Sequence, residues 1–426
     1  MSANSYKYEE YNIFMHYYIL ISLIFINIET NQNMKTKHIV TINAGSSSIK
    51  FAVYEFTHQL NKSINGQVEN ISTLPVMKIY DATGNMIKDV HFDKKVSYEY
   101  FYELLVSAFE SNQFNYSIVG AGHRVVHGGT KFNAPVLVNG DIVAELKKYI
   151  PFAPLHQPYN LKAIETVSNL YPEMPQVACF DTAFHCTHPV VCDLFGLPRK
   201  LTNAGIKRYG FHGLSYEYIM HQFKKLYPDK INSKIIVAHL GNGSSMCAIH
   251  HAKSIDTTMG FTALDGLLMG TRCGSLDPGV VIYLMEYHNM TPRQIETMLY
   301  KESGLLGVSG ITYDMRKLLE DKNDSAQQAI DLYVYRIRRE LGALASVLGG
   351  IDHLVFTGGI GEHASQIRER VCENNEWLSL SINKDKNGKN ESVINDDKSK
   401  VGVHIIPTNE EWIIANHTYR LLGGGE

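Results

Sequence analysis

The chain has 426 residues, 44% of them hydrophobic and 19% charged, with a net charge of −3 at neutral pH. That length supports two cores, and the absence of a basic excess excludes nucleic acid and anionic membrane surfaces as expected partners. The six cysteines, Cys179, Cys186, Cys192, Cys247, Cys273 and Cys372, show no C-x-x-C spacing. A disulfide framework is therefore not expected, and reduced thiols suit a cytoplasmic protein.

Residues 11–28 (YNIFMHYYILISLIFINI) form an apolar run with three readings. Lys7 is the only basic residue ahead of the run and no small-residue cleavage site follows, which makes a poor signal peptide. The run is short for a membrane span and carries His16 and two asparagines. The preferred reading starts the protein at Met34, so residues 1–36 are expected to lie outside the fold and no stable membrane association is expected.

From Lys37 the pattern is α/β. HIVTINAG reads as a strand and IKFAVYEF as its hairpin partner across GSSS. KIIVAHLGNGSSMCAI repeats that design, and aligning Gly45-Ser46-Ser47 with Gly243-Ser244-Ser245 suggests an internal duplication. Val334, Ile337, Leu341, Leu344 and Leu348 then step by three and four, which predicts a helix over 326–348, stopped by Gly349-Gly350. HLVFTGGIGEH predicts a buried strand running into a glycine turn, residues 383–400 an exposed polar loop, VHIIPT a strand, and NEEWIIANHTYRLL a closing helix.

The chain contains no G-x-x-x-x-G-K-[ST] sequence, so it carries no P-loop. Gly359-Ile360-Gly361-Glu362-His363-Ala364 fits the looser G-x-G-x-x-A pattern, but late in the chain rather than opening a Rossmann unit, which argues against NAD. Three Gly-rich turns, Asn43–Ser48, Gly241–Ser245 and Gly358–Gly361, point to phosphate handling by backbone N–H groups, with Lys50 as the neighbouring cation. Arg124 in AGHRVVHGG and Arg272 in MGTRCGSLDPG lie among glycines, where a planar guanidinium reaches a carboxylate or phosphate. His156, Asp181 and His212 join them as polar candidates, each open between a buried structural group and a site residue. His185/His188 and His250-His251 have metal-like spacings, but no carboxylate completes a zinc set, and metal-ligating histidines are not expected.

INAGSSSIKF, GHRVVHGG, APLHQPYN, FDTAFH, RYGFHG, HLGNGSS, MGFTALDGLLMGTR, GLLGVSG, FTGGIGEH and IPTNEE stand here in the order found in acetate kinases, a resemblance running from about residue 38 to 422. It implies two duplicated ribonuclease-H-like, actin-like ATPase domains facing a cleft: domain I over 37–182 plus 410–426, and domain II over 183–409. It also implies reversible, in-line transfer of the ATP γ-phosphoryl group to acetate, with Mg²⁺ (Mn²⁺ as a substitute), in a homodimer. By the same resemblance Asn43 and Glu410 would hold the metal. Ser46, Ser48 and Lys50 would face the phosphates. The turns His239, Gly241, Asn242, Gly243; Asp314, Met315, Arg316; and Gly359, Ile360, Gly361, Glu362, His363 would hold ATP or ADP.

Arg124, His156, Asp181, His212 and Arg272 would be catalytic, and Arg124 with Val126, Leu155, Phe211 and Ala263 would receive acetate. Ala263 stands where the family commonly has Pro, His363 where it has Asn, and Met315 where it has an aromatic or Leu. A propionate kinase is the near alternative, and an actin/Hsp70-like nucleotide-dependent binding protein the alternative from another class; a dehydrogenase is more distant.

Overall fold

A computed structural model of the chain describes residues 35–425 apart from 46–47, 72, 98 and 104–115. The apolar run 11–28, the proposed start at Met34 and the candidate Ser46 lie outside the described residues. Among those described, no helix is long and apolar enough to cross a membrane.

Two sheets organise the chain. The first contains β1 (Thr36–Ala44), β2 (Ile49–Glu55), β3 (Lys62–Glu69), β4 (Val76–Asp81), β5 (Met86–His91), β6 (Tyr116–Val125), β7 (Val136–Leu137) and β8 (Gln176–Phe180), in the order β5-β4-β3-β2-β1-β6-β8-β7. The second contains β9 (Ile235–Leu240), β10 (Ser244–His250), β11 (Lys253–Thr257), β12 (His353–Thr357) and β13 (Gly402–Ile405), in the order β11-β10-β9-β12-β13.

The expected duplication is written in these orders. Reading β3-β2-β1-β6-β8, the pairings run antiparallel, antiparallel, parallel, parallel. The second sheet repeats that succession strand for strand. The registers correct the turn alignment, however. The first hairpin closes on Ala44–Ile49 and the second on Leu240–Ser244. Gly45 thus corresponds to Gly241 rather than Gly243, and Ser244 and Ser245 are fully buried strand residues rather than turn residues.

Strand periodicity explains the layers. In β9, Ile236, Ala238 and Leu240 point into one core and Ile235 and Val237 into another, because successive side chains alternate faces. The first core is closed by α3 (Asp324–Leu348), and the second by α2 (Gly213–Leu226). α3 matches the predicted helix and ends on Gly349 at φ +65°, a left-handed C-terminal cap.

The first sheet is covered likewise. Val40, Ile42 and Ala44 pack with Ala163 and Val167 of α1 (Gln157–Leu170). Ile39, Ala52 and Tyr54 pack with Ala415 and Tyr419 of α4 (Glu410–Leu421). α4 thus follows the last strand of the second sheet but lies on the first. Residues 383–400 are not a simple exposed loop: Lys384–Gly388 is a short helix, and Asn387 and Ile394 are buried.

Candidate active site

The ends of the parallel strands bring the predicted residues together, as is usual for ligand sites in such sheets. Asn43 and Lys50 are direct partners across β1 and β2, so both side chains stand on the face that α4 covers. Arg124 follows two strand positions after Gly122. A Cβ on Gly122 would come 2.3 Å from Thr418 Oγ1 and 2.6 Å from Ile414 Cγ2 of α4. Glycine there lets α4 lie against the sheet, and the first turn of α4 carries Glu410 to Arg124. Asp181 follows β8 and is buried.

Arg124 is the hub. Its Nε and Nη2 donate to Asp181 Oδ1 and Oδ2 at 3.0 and 2.5 Å, and its Nη1 donates to Asn43 Oδ1 at 3.1 Å. Glu410 Oε2 is 4.0 Å from Nε. Burial works against the guanidinium charge, but Asp181 and Glu410 outweigh it and hold Arg124 above its usual range. Two of its five N–H groups remain for a ligand. Burial pushes the Glu410 carboxyl up, with Asp181 and Glu411 adding and Arg124 and Lys50 opposing. Lys50 also lines a cavity of about 470 Å³ with Thr408, Asn409 and Glu411.

His212 enters from the second half. It precedes α2 with φ +58°, and Gly213 N–H donates to the Asp181 carbonyl at 2.9 Å, which joins the two sets of residues. A non-glycine residue in this left-handed conformation is uncommon. Its ring stacks on His239 with centroids 4.3 Å apart, and Nδ1 lies 2.8 Å from Ser245 Oγ. Burial, then His239, Arg124 and Arg272, drive its pKa well below normal, so the ring is neutral. His239 falls to about 4 through burial, Arg124 and Lys50.

Arg272 donates from Nη1 to the Ala263 carbonyl at 3.0 Å. Among the described residues it has no acidic partner. Burial lowers it, against Tyr300, and Arg124 adds to the lowering. A Cβ on Gly243 would stand 3.2 Å from His212 Nε2 and 3.8 Å from Arg272 Nη1, so bare backbone at Gly243 leaves that space open to both. His156 falls to about 3 by burial, with Arg272 and Arg124 contributing.

Val126, Leu155, Phe211 and Ala263 do meet, around a pocket of about 10 Å³ completed by Phe152, Ala153, Pro154, His156 and Tyr300. That is room for one water-sized group.

The remaining candidates are dispersed in role. Asn242 accepts Gly270 N–H on its carbonyl at 2.9 Å. Ser48 accepts Gly45 N–H on its carbonyl at 2.8 Å, closing the first turn. Gly358–His363 is a short helix, not an open turn, and Gly359 faces open space. Glu362 accepts Gly358 N–H at 2.9 Å and Thr408 N–H at 3.3 Å, tying this helix to the approach of α4. His363 is exposed. Asp314 and Arg316 pair with each other, Nη2 to Oδ2 at 2.7 Å, and the Met315 side chain is buried in the core, so it offers a nucleotide only backbone. His185 and His188 both reach Ser254 Oγ, at 2.9 and 2.7 Å. All six cysteines are free thiols.

Three residues beyond the expected set shape the site. Asn160 donates from Nδ2 to the Ala44 carbonyl at 2.6 Å and accepts Val126 N–H at 3.0 Å, locking the ends of β1 and β6 together. It stood in APLHQPYN, where a buried amide on a helix is the available signal. Arg368 is fully buried and donates to the carbonyls of Gly361 at 2.9 Å, Glu362 at 3.0 Å and Asn387 at 2.9 Å, and to Asn387 Oδ1 and Asn390 Oδ1 at 2.8 and 2.6 Å. Tyr300 lines the small pocket, and its place in helix Pro292–Lys301 carries no distinguishing signal.

The chain is similar to known proteins over most of its length. A sequence model of the acetokinase family matches residues 38–416. An acetate kinase of Rhodopseudomonas palustris (strain ATCC BAA-98 / CGA009) is 49% identical over 393 residues, covering 91% of this chain and 99% of its own. One from Rickettsia akari (strain Hartford) is 43% identical over 391 residues, covering 90% and 99%. Among solved structures, a propionate kinase from Francisella tularensis superposes with a TM-score of 0.85 at 37% identity, covering 90% and 99%. The Porphyromonas gingivalis acetate kinase gives 0.82 at 35% identity, covering 91% and 100%. With a family model matching residues 38–416 and relatives 43–49% identical over about nine-tenths of its length, the chain belongs to the acetokinase family.

Proposed function

We propose that the chain transfers the γ-phosphoryl group of ATP to acetate, reversibly and in line, giving acetyl phosphate and ADP. The observation that carries this reading is a guanidinium with no acidic partner among the described residues, Arg272, beside neutral His212 and next to a pocket of about 10 Å³. A carboxylate is already nucleophilic at neutral pH, so the reaction needs no general base. It needs two anions brought together and the equatorial oxygens neutralised.

Arg272 takes the acceptor carboxylate and the transferring phosphoryl, with Arg124 adding charge from its Asp181-fixed position. His212 donates to the equatorial oxygens, and Asp181 holds Arg124 in orientation. His156, kept neutral, lines the acetate pocket without adding charge. The small pocket favours a methyl group over an ethyl, a difference worth about 1–3 kcal/mol per methylene. Lys50 and Ser48 face the phosphates, and the backbone of Gly241–Gly243, Asp314–Arg316 and Gly359–His363 holds the nucleotide.

Asn43 and Glu410 fit Mg²⁺. They are two oxygen donors flanking one guanidinium, and the Glu410 carboxyl, lifted by burial and two acidic neighbours, gains from a nearby cation. Bound there, Mg²⁺ neutralises phosphate charge. The two parts, 37–182 with 410–426 and 183–409, close over the substrates and exclude water as rival acceptor. The enzyme works in the cytoplasm as a homodimer.

The test is a hydroxamate assay with ATP, Mg²⁺ and either acetate or propionate, beside Arg272→Ala. Expected are a kcat/KM for acetate at least about 10-fold above that for propionate and a loss of about 1,000-fold in the variant. Preference for propionate would rename the substrate. An unaffected Arg272→Ala would remove the arginine from the mechanism.

A further inference from the structure

We infer that Tyr216 is a positioning residue for phosphoryl transfer: acting through Ser245, it sets His212 in the tautomer that presents Nε2–H to the cleft. The inference deepens the reading of His212 given above and rests on it.

Neutral imidazole has one N–H and one bare nitrogen, and only a ring with hydrogen on Nε2 donates toward the space above Gly243 that His212 shares with Arg272 Nη1. Nδ1 meets Ser245 Oγ at 2.8 Å, and Ser245 Oγ in turn meets Tyr216 Oη. Ser245 has one proton and sits between two groups, so one of them must receive it and the other must give.

The work asked of His212 sets the direction: to donate to the phosphoryl oxygens it must carry hydrogen on Nε2, so Nδ1 accepts from Ser245 and Ser245 accepts from Tyr216. Tyr216 is fully buried, and burial holds its phenol protonated. Thr257, the other hydroxyl near it, donates to the Met246 carbonyl at 2.9 Å, so its oxygen is the alternative acceptor for the Tyr216 proton; a chain turned that way would leave His212 Nε2 bare and unable to donate. The chain of donors therefore runs Tyr216 O–H to Ser245 Oγ, then Ser245 O–H to His212 Nδ1, leaving hydrogen on Nε2. The stack on His239, whose Nδ1 lies 2.8 Å from Ser215 Oγ, holds the ring plane.

Multiple-bond ¹H–¹⁵N spectra of the full chain labelled with ¹⁵N-histidine read the tautomer directly, with His212→Gln assigning the signal. The wild-type protein should show a protonated Nε2 and a bare Nδ1; hydrogen on Nδ1 overturns the proposal without any variant. Tyr216→Phe should lower kcat about 10- to 100-fold while KM for ATP and for acetate changes less than about twofold. Tyr216→Phe with His212→Gln should be no slower than His212→Gln alone. Multiplying losses, or wild-type kcat in Tyr216→Phe, overturn it. A fully active His212→Gln would instead remove His212 from the reaction, a different failure with a different signature.

Discussion

Arg368 is an arginine used as a clamp rather than as a charge. Its five donors go to five neutral oxygens, three of them backbone carbonyls, and burial brings its pKa down to about 10. It joins the short helix Gly358–His363, proposed above to hold the nucleotide, to the segment around Asn387. Arg368→Met keeps most of the length but strands those carbonyls. Urea unfolding should show a loss of about 2–4 kcal/mol. In the protein that still folds, KM for ATP should rise several-fold with KM for acetate unchanged. Equal effects on both substrates would mean that the clamp has no bearing on the nucleotide. Nothing in SQIRER marks this residue: an arginine on a helix reads as solvated, and only the fold shows that its face is interior. Arg124 and Arg272 were legible because glycines surrounded them, although the lock of Arg124 on Asp181, 57 residues away, depends on strand order.

At the scale of elements, most of the pattern was readable because local rules and global fold agree there. The two hairpins, α3 with its glycine stop and the buried β12 all follow from periodicity. The failures have a common cause in tertiary override. Residues 383–400 look like a polar loop, yet Asn387 is drawn inside by Arg368, and Ser244 and Ser245 look like turn residues, yet pairing places them in a buried strand. One helix contradicts its environment in the opposite sense. Pro278–Tyr287 (PGVVIYLMEY) has no buried residue, and Val280, Ile282, Tyr283, Met285 and Tyr287 are all exposed. Val281 and Leu284 are half-buried, but an apolar helix exposed over most of its surface is poorly suited to water and well suited to pairing with a second copy. Ile282→Lys together with Tyr287→Lys should therefore halve the mass seen by sedimentation equilibrium at micromolar concentration. A mass unchanged from wild type would exclude this helix from the dimer contact, and a wild-type monomer would exclude the dimer itself.

The whole molecule is built on neutral buried histidines, and this sets its response to acid. His123, His127 and His185 are at most 2% exposed, and His404 is 4% exposed. Burial is the largest cause of lowering in each: His123 and His404 fall to about 4, and His127 and His185 to about 3. His404 is lowered further by His353 and Lys230, and His185 by His188. In the unfolded chain each returns to about 6.5. Above pH 6.5 both states are neutral at these positions and the stability is independent of them. Below it the unfolded state takes up protons that the folded state refuses, so stability falls with pH until the folded values are reached. Four such groups remove about 5 kcal/mol per pH unit at full slope, against a total of about 5–15 kcal/mol for an ordinary domain. The protein should unfold cooperatively between about pH 5 and 6. His123 lies in β6 with Gln176 as a polar neighbour, and among the described residues neither ring nitrogen makes a well-formed hydrogen bond, so His123→Met keeps the packing and removes one titration. Between pH 6.5 and 5 that variant should lose about 2 kcal/mol less than wild type in urea unfolding. Parallel losses in the two proteins would mean that His123 is charged inside the fold, and that the acid sensitivity comes from elsewhere.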